Sequence, residues 1–227
     1  MSVPSASGRC AVRRRVGLFG GTFDPIHLGH LIAAQEARAR LDLECVIFVP
    51  ARVSPHKLDC TASSSRDRFE MTRLGIAGNA AFRLSSIDLD REGPSFTVDT
   101  LRAMRALLGD DIDLYFIMGM DSLRHIETWR APQEIVRLAH IAALNRPGHT
   151  VDIQALEASV PGLSRVTHII DTISVGISST DIRRRVESGL PIRYQVPNAV
   201  EAYICQHGLY KRSNGAQAGH SPGVACT

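Results

Sequence analysis

The chain is short of the residues that staple small secreted domains: five cysteines in 227 residues, at positions 10, 45, 60, 205 and 226, odd in number and without a Cys-x-x-Cys pair. That argues against a disulfide framework and the common zinc motifs, and for a reducing compartment. No stretch approaches the ~18 apolar residues of a membrane-spanning helix. The N-terminus carries Arg9 and the arginines at 13–15 but no apolar segment before a cleavage site, so no export signal is indicated. The expected location is the cytoplasm, away from membranes. A net charge of +3 helps to attract phosphorylated metabolites but lacks the clustered basic excess of a nucleic-acid binder. The arginine triplets at 13–15 and 183–185 are too short to change this. Also missing are internal repeats, the Gly-x-Gly-x-x-Gly dinucleotide fingerprint and the Gly-Lys-Ser/Thr of a P-loop, so neither a dehydrogenase nor a P-loop ATPase is supported.

What is present is an ordinary globular composition, 44% hydrophobic and 22% charged, at a length that suits one domain. Residues 1–14 and 211–227 lack a periodic apolar pattern and read as disordered tails around a domain at 15–210. Short apolar runs at 16–19, 45–49, 82–89, 114–118, 141–144 and 166–170 read as strands. Segments at 65–78, 132–138, 151–158, 178–183 and 197–206 read as helices, with Phe69, Leu74 and Ile76 inward in the first of them. A further helix follows Thr97, its apolar face made by Val98, Leu101, Leu107 and Leu108. Alternation of this kind predicts an α/β fold, a Rossmann-like, doubly wound parallel sheet in a single domain. Ligands then sit at the carboxyl ends of the strands. The strand order is not readable from the pattern.

The most informative stretch is Gly20-Gly21-Thr22-Phe23-Asp24-Pro25-Ile26-His27-Leu28-Gly29-His30. It reads as strand, glycine turn and helix, with Leu28, Leu31 and Ile32 at helical spacing. Two glycines let the backbone approach an anion, and the N–H groups and dipole of a helix start favour negative charge. His27 and His30 share a face of the first turn. Asp181, three residues after Ser178, fits a helix cap.

The first of these stretches resembles the signature of the nucleotidylyltransferase superfamily, and further motifs, in order over residues 16–210, are similar to those of bacterial nicotinate-nucleotide adenylyltransferases. Pro55-His56-Lys57 resembles that family's Pro-Pro-His-Lys, with Ser54 in place of the first proline. Ser95-Phe96-Thr97 resembles Ser-Tyr-Thr, Gly119-Met120-Asp121 resembles Gly-x-Asp, and Ile177-Ser178-Ser179-Thr180 with Arg183 one turn on resembles the second phosphate-binding helix. The resemblance implies transfer of the adenylyl group of ATP to nicotinate mononucleotide, releasing pyrophosphate, with Mg2+ carried by the ATP phosphates. It implies that His27, His30, Lys57 and Arg183 are catalytic. Gly20, Gly21, Thr22, Phe23, Gly119, Asp121, Ile177, Ser178, Ser179 and Thr180 would join both histidines and Arg183 on ATP. Thr22, His56, Lys57, Ser95, Phe96, Thr97, Met120, Asp121, Trp129 and Arg146 would contact the nicotinate nucleotide. No protein-bound metal is expected, and a homo-oligomer is compatible with the sequence. The alternatives are a related enzyme acting on nicotinamide mononucleotide or phosphopantetheine, and a nucleotide-binding sensor without catalysis.

Overall fold

The structure is a computed structural model that describes residues 13–53, 62–145, 151–173 and 175–211. Six parallel strands form one sheet in the order β3-β2-β1-β4-β5-β6: β1 (Arg14–Gly21), β2 (Cys45–Pro50), β3 (Phe82–Leu84), β4 (Ile112–Gly119), β5 (His140–Asn145) and β6 (Thr167–Asp171). The winding reverses between β1 and β4, so their carboxyl ends flank the crevice where ligands bind in such sheets. Those ends are Gly20 and Gly21 on one side and Gly119 on the other.

Because side chains alternate across a strand, each central strand feeds two cores. Leu18, Ile47, Leu114 and Phe116 face one cluster, completed by α3 (Thr97–Leu108), α4 (Met120–Arg124), α5 (Pro132–Leu138), α6 (Ile153–Ser159) and α7 (Leu163–Val166). Phe19, Phe48, Tyr115 and Ile117 face the other, completed by α1 (Leu28–Leu41), α2 (Ser65–Ile76), α8 (Ser179–Glu187) and α9 (Asn198–Gln206). All six residues of β2 are buried, as its uninterrupted apolar run requires. Among the described residues, no helix is long and apolar enough to cross a membrane.

Four expectations are corrected. Gly20 and Gly21 are the last residues of β1, paired with Val49 and Pro50, and the turn begins only at Thr22. The strand expected over 82–89 stops at Leu84, because Ser86 accepts the amides of Leu89 and Asp90 and curls the chain into a turn. In α2 the buried stripe is Arg68, Met71, Thr72 and Ile76, with Phe69 and Leu74 half-buried. Hydrophobicity misleads there because the largest fully buried side chain is an arginine that bonds backbone carbonyls. In α3 the buried residues include Thr100 and Met104, whereas Leu107 is 69% exposed.

Candidate active site

His27 is the N-cap of α1, extended at φ −144°, and is almost wholly buried. Its backbone N–H donates to Nδ1 of His30 at 3.2 Å, and the two rings stack with centroids 3.6 Å apart. Phe23 meets His30 edge-on at 5.1 Å, so the second ring is held on both sides. With Nδ1 accepting, a neutral His30 carries its proton on Nε2 and is a donor there. No acidic residue lies in the first turn of α1, which keeps the positive end of its dipole. A Cβ on Gly29 would stand 3.0 Å from Nδ1 of His27, which accounts for a glycine inside the helix.

The start of α8 docks on this loop. Ser178 caps the helix by accepting from the Asp181 amide at 3.1 Å, and Ser179 Oγ donates to the Pro25 carbonyl at 2.9 Å. Arg183 donates to the Asp24 carbonyl at 2.7 Å and lies 4.0 Å from its carboxylate. That carboxylate, only 2% exposed, also accepts from the Ala62 amide, Ser63 Oγ and Tyr210 Oη. Burial, reinforced by Asp24, pushes the Tyr210 phenol far above its usual range, so it remains a donor. Beneath the loop, buried Arg68 donates to the carbonyls of Thr22 at 2.9 Å, Ala51 at 2.6 Å and Arg52 at 2.8 Å. It therefore ties the segment after β1 to the segment after β2.

At the other end, Ser95 Oγ accepts from the Arg52 amide at 3.0 Å, and Phe96 is the N-cap of α3 without a side-chain cap. Asp88 is buried beside it, accepting from Thr100 Oγ1 at 2.7 Å and from Arg91 at 3.2 Å. Burial raises the Asp88 carboxyl despite these donors. Trp129 meets Phe116 edge-on at 6.2 Å, and the Arg130 guanidinium lies 4.8 Å from the centre of the Phe96 ring.

One cleft of about 1090 Å³ joins these two ends. From β1 and α1 it is lined by Gly20, Gly21, Thr22, Phe23, His27 and His30, and from the α8 start by Ile177, Ser178, Ser179, Thr180 and Arg183. Ser95, Phe96, Thr97, Asp121 and Trp129 line the remainder. Two expected residues are not brought to its wall. Gly119 ends β4 and does not line the cleft, and Met120 is 4% exposed with its side chain in the core. Met120 is apolar at the start of a short helix whose inner face packs on the sheet, so its neighbour Asp121 faces the cleft instead. His56, Lys57 and Arg146 lie outside the described residues. Lining residues that sequence reasoning passed over include Asp24, Asp88, Thr100, His125 and Arg130. Asp24 had a signal in its position inside the glycine-histidine stretch, and Arg130 in its place beside Trp129; the others become neighbours only through the fold. A second groove, of about 550 Å³ between α1 and α2, has a mainly apolar wall whose polar residues Gln35 and Asn79 bond each other.

A family pattern described as cytidylyltransferase-like matches residues 18–185. A probable nicotinate-nucleotide adenylyltransferase of Thermus thermophilus is 46% identical over 197 residues, covering 87% of this chain and all of that protein. Proteins of the same name from Moorella thermoacetica and Desulfitobacterium hafniense are 45% and 43% identical, each over 87% of this chain and over 92% and 96% of their own lengths. Among solved structures, a Plasmodium falciparum nicotinic acid mononucleotide adenylyltransferase complexed with NaAD has the same fold, with a TM-score of 0.69 at 19% identity over 87% of this chain and 97% of that one. Glycine-histidine loop, capped second helix and aromatic end thus occur in a chain whose relatives match it almost from end to end: it belongs to the bacterial nicotinate-nucleotide adenylyltransferase family, within the cytidylyltransferase-like proteins.

Proposed function

We propose that the protein transfers the adenylyl group of ATP to nicotinate mononucleotide, forming nicotinate adenine dinucleotide and pyrophosphate, in NAD biosynthesis. The observation that carries this reading is the convergence of two helix starts on one cleft, α1 with its stacked histidines and α8 with its capped serine and Arg183. The relatives' name supports the acceptor.

The attacking oxygen of a phosphomonoester is already ionised near neutral pH, so the reaction needs charge stabilisation more than a base. That oxygen bonds to the α-phosphorus while the bond to pyrophosphate breaks and the leaving group takes the electron pair. Donors aimed at the phosphates are worth most as this charge develops. Nε2–H of His30 is such a donor, fixed by the bond its other nitrogen accepts. Arg183, held by the Asp24 carbonyl, places a permanent cation beside the same phosphates. The amides at the starts of α1 and α8 add their dipoles. By resemblance Lys57 neutralises the acceptor phosphate, with His56 and Arg146 nearby.

ATP arrives with its Mg2+, which screens the phosphates; the Asp24 carboxylate is already engaged by Ala62, Ser63 and Tyr210, which fits an ion carried by the substrate. Thr97 at the start of α3 and the Trp129 ring are assigned to the pyridine of the acceptor. Steady-state assays with nicotinate mononucleotide, nicotinamide mononucleotide and phosphopantetheine side by side test this. The acid nucleotide should give by far the largest kcat/KM, and equal or greater turnover of either rival would overturn the acceptor assignment.

A further inference from the structure

Among the described residues, two arginines line the cleft, one at each end. Arg183 stands between the two phosphate-binding helix starts, committed to the Asp24 loop. Arg130 stands at the aromatic end, on the face of Phe96 and next in sequence to Trp129. An acceptor with a phosphate at one end and a pyridine carboxylate at the other has its two negative charges at a matching separation of roles. We propose that Arg130 is a specificity-determining residue whose guanidinium attracts the carboxylate of the pyridine ring and thereby selects the acid over the amide.

The local charges set the need for such a cation. Asp88 lines the same end, nearly buried and already paired with Arg91 at 3.2 Å, so a second carboxylate placed in the cleft needs a cation of its own. Asp99, in the first turn of α3, is held more closely by Arg102 at 2.8 Å than by Arg130 at 3.5 Å. The Asp99–Arg130 contact is long and its arginine solvent-exposed, so screening leaves it weak and it draws little of the Arg130 charge away from the cleft. The Phe96 ring under the guanidinium fixes its position, because a cation is attracted to the face of an aromatic ring. A guanidinium offers only donors. A carboxylate answers them with two acceptors and a full charge, whereas a carboxamide answers with one neutral acceptor and brings donors of its own.

This inference rests on the reading that the aromatic end receives the pyridine, and the test separates the two. Arg130 is 56% exposed, so replacing it should leave folding intact. Arg130→Gln, Arg130→Lys and Trp129→Leu would be compared with the wild type on both pyridine mononucleotides, with melting temperature and the KM for ATP as controls. For Arg130→Gln, kcat/KM with the acid should fall about tenfold or more, through KM, while the value for the amide moves less than about twofold. Arg130→Lys should recover only part of the preference, since the charge is kept but the planar fork stacked on Phe96 is lost. Equal losses for acid and amide, or no loss for either, would overturn the role of Arg130. If Trp129→Leu leaves KM for both acceptors at wild-type values, the placement of the pyridine itself is wrong; if it raises both while Arg130→Gln keeps the preference intact, only the Arg130 inference fails.

Discussion

His30 shows how a single side chain is prepared for chemistry. Its Nδ1 accepts from the His27 amide and its ring is packed by His27 and Phe23, which fixes its orientation and makes Nε2 the donor of the neutral imidazole. Such a donor acts mainly on the transition state, so His30→Ala is expected to lower kcat by about 100-fold or more with a much smaller change in KM for ATP. A folded variant with wild-type kcat would remove the residue from the mechanism. Both histidines were legible as a pair from their spacing, because three residues along a helix is one face. Asp24, Arg68 and Tyr210 were not. The partners of Arg68 are carbonyls 16, 17 and 46 residues away, and the bond from Tyr210 to Asp24 spans 186 residues, distances at which local patterns are silent.

At the scale of elements, the glycines illustrate a difference between pattern and cause. Gly20 and Gly21 looked like a turn, yet they end a strand; what the site needs at Gly21 is room, since a Cβ there would lie 2.8 Å from the Phe23 ring. Gly29 is a sharper case. Replacing a helical glycine with alanine ordinarily gains up to about 1 kcal/mol of stability. Here the new methyl would press on the His27 ring, so Gly29→Ala is expected to cost activity about tenfold or more, by the sensitivity of catalysis to small displacements. Full activity together with a higher melting temperature would show that the ring has room to move. Ser178→Ala removes the α8 cap, worth about 1 kcal/mol, and should also raise KM for ATP. A stability loss with KM at the wild-type value would make the cap purely structural. Helices α5 and α9 were legible almost to the residue, read at 132–138 and 197–206 and found at Pro132–Leu138 and Asn198–Gln206, each opening at a proline that suits a helix start. Strand β3 was overextended by the apolar Ile87 and Leu89, which belong to a turn held by Ser86.

For the whole molecule, the parallel α/β class followed from alternation alone, whereas the strand order, and hence the crevice between β1 and β4, follows only from the three-dimensional pairing. The same pairing creates a pH-sensitive spot away from the cleft. His140 on β5 and His168 on β6 approach to 3.2 Å, with Tyr115 stacked on the former. Burial lowers both imidazoles below 6.5; each also feels Arg15, His168 feels His140, and Asp113 opposes the shift at His140. A depressed folded-state value means that the stabilisation is present above about pH 6.5 and is lost as the pH falls through the folded values. The melting temperature of the wild type should therefore drop between pH 7 and pH 5 more steeply than that of a His140→Gln, His168→Gln double variant. Parallel curves would contradict this. The central claim, adenylyl transfer to nicotinate mononucleotide, is tested most directly by following the label from ATP carrying radioactive phosphorus at either the α or the γ position. The account predicts that α-label enters nicotinate adenine dinucleotide and γ-label leaves in pyrophosphate, both only when nicotinate mononucleotide is present; γ-label in inorganic phosphate, or α-label that never joins the acceptor, would contradict it.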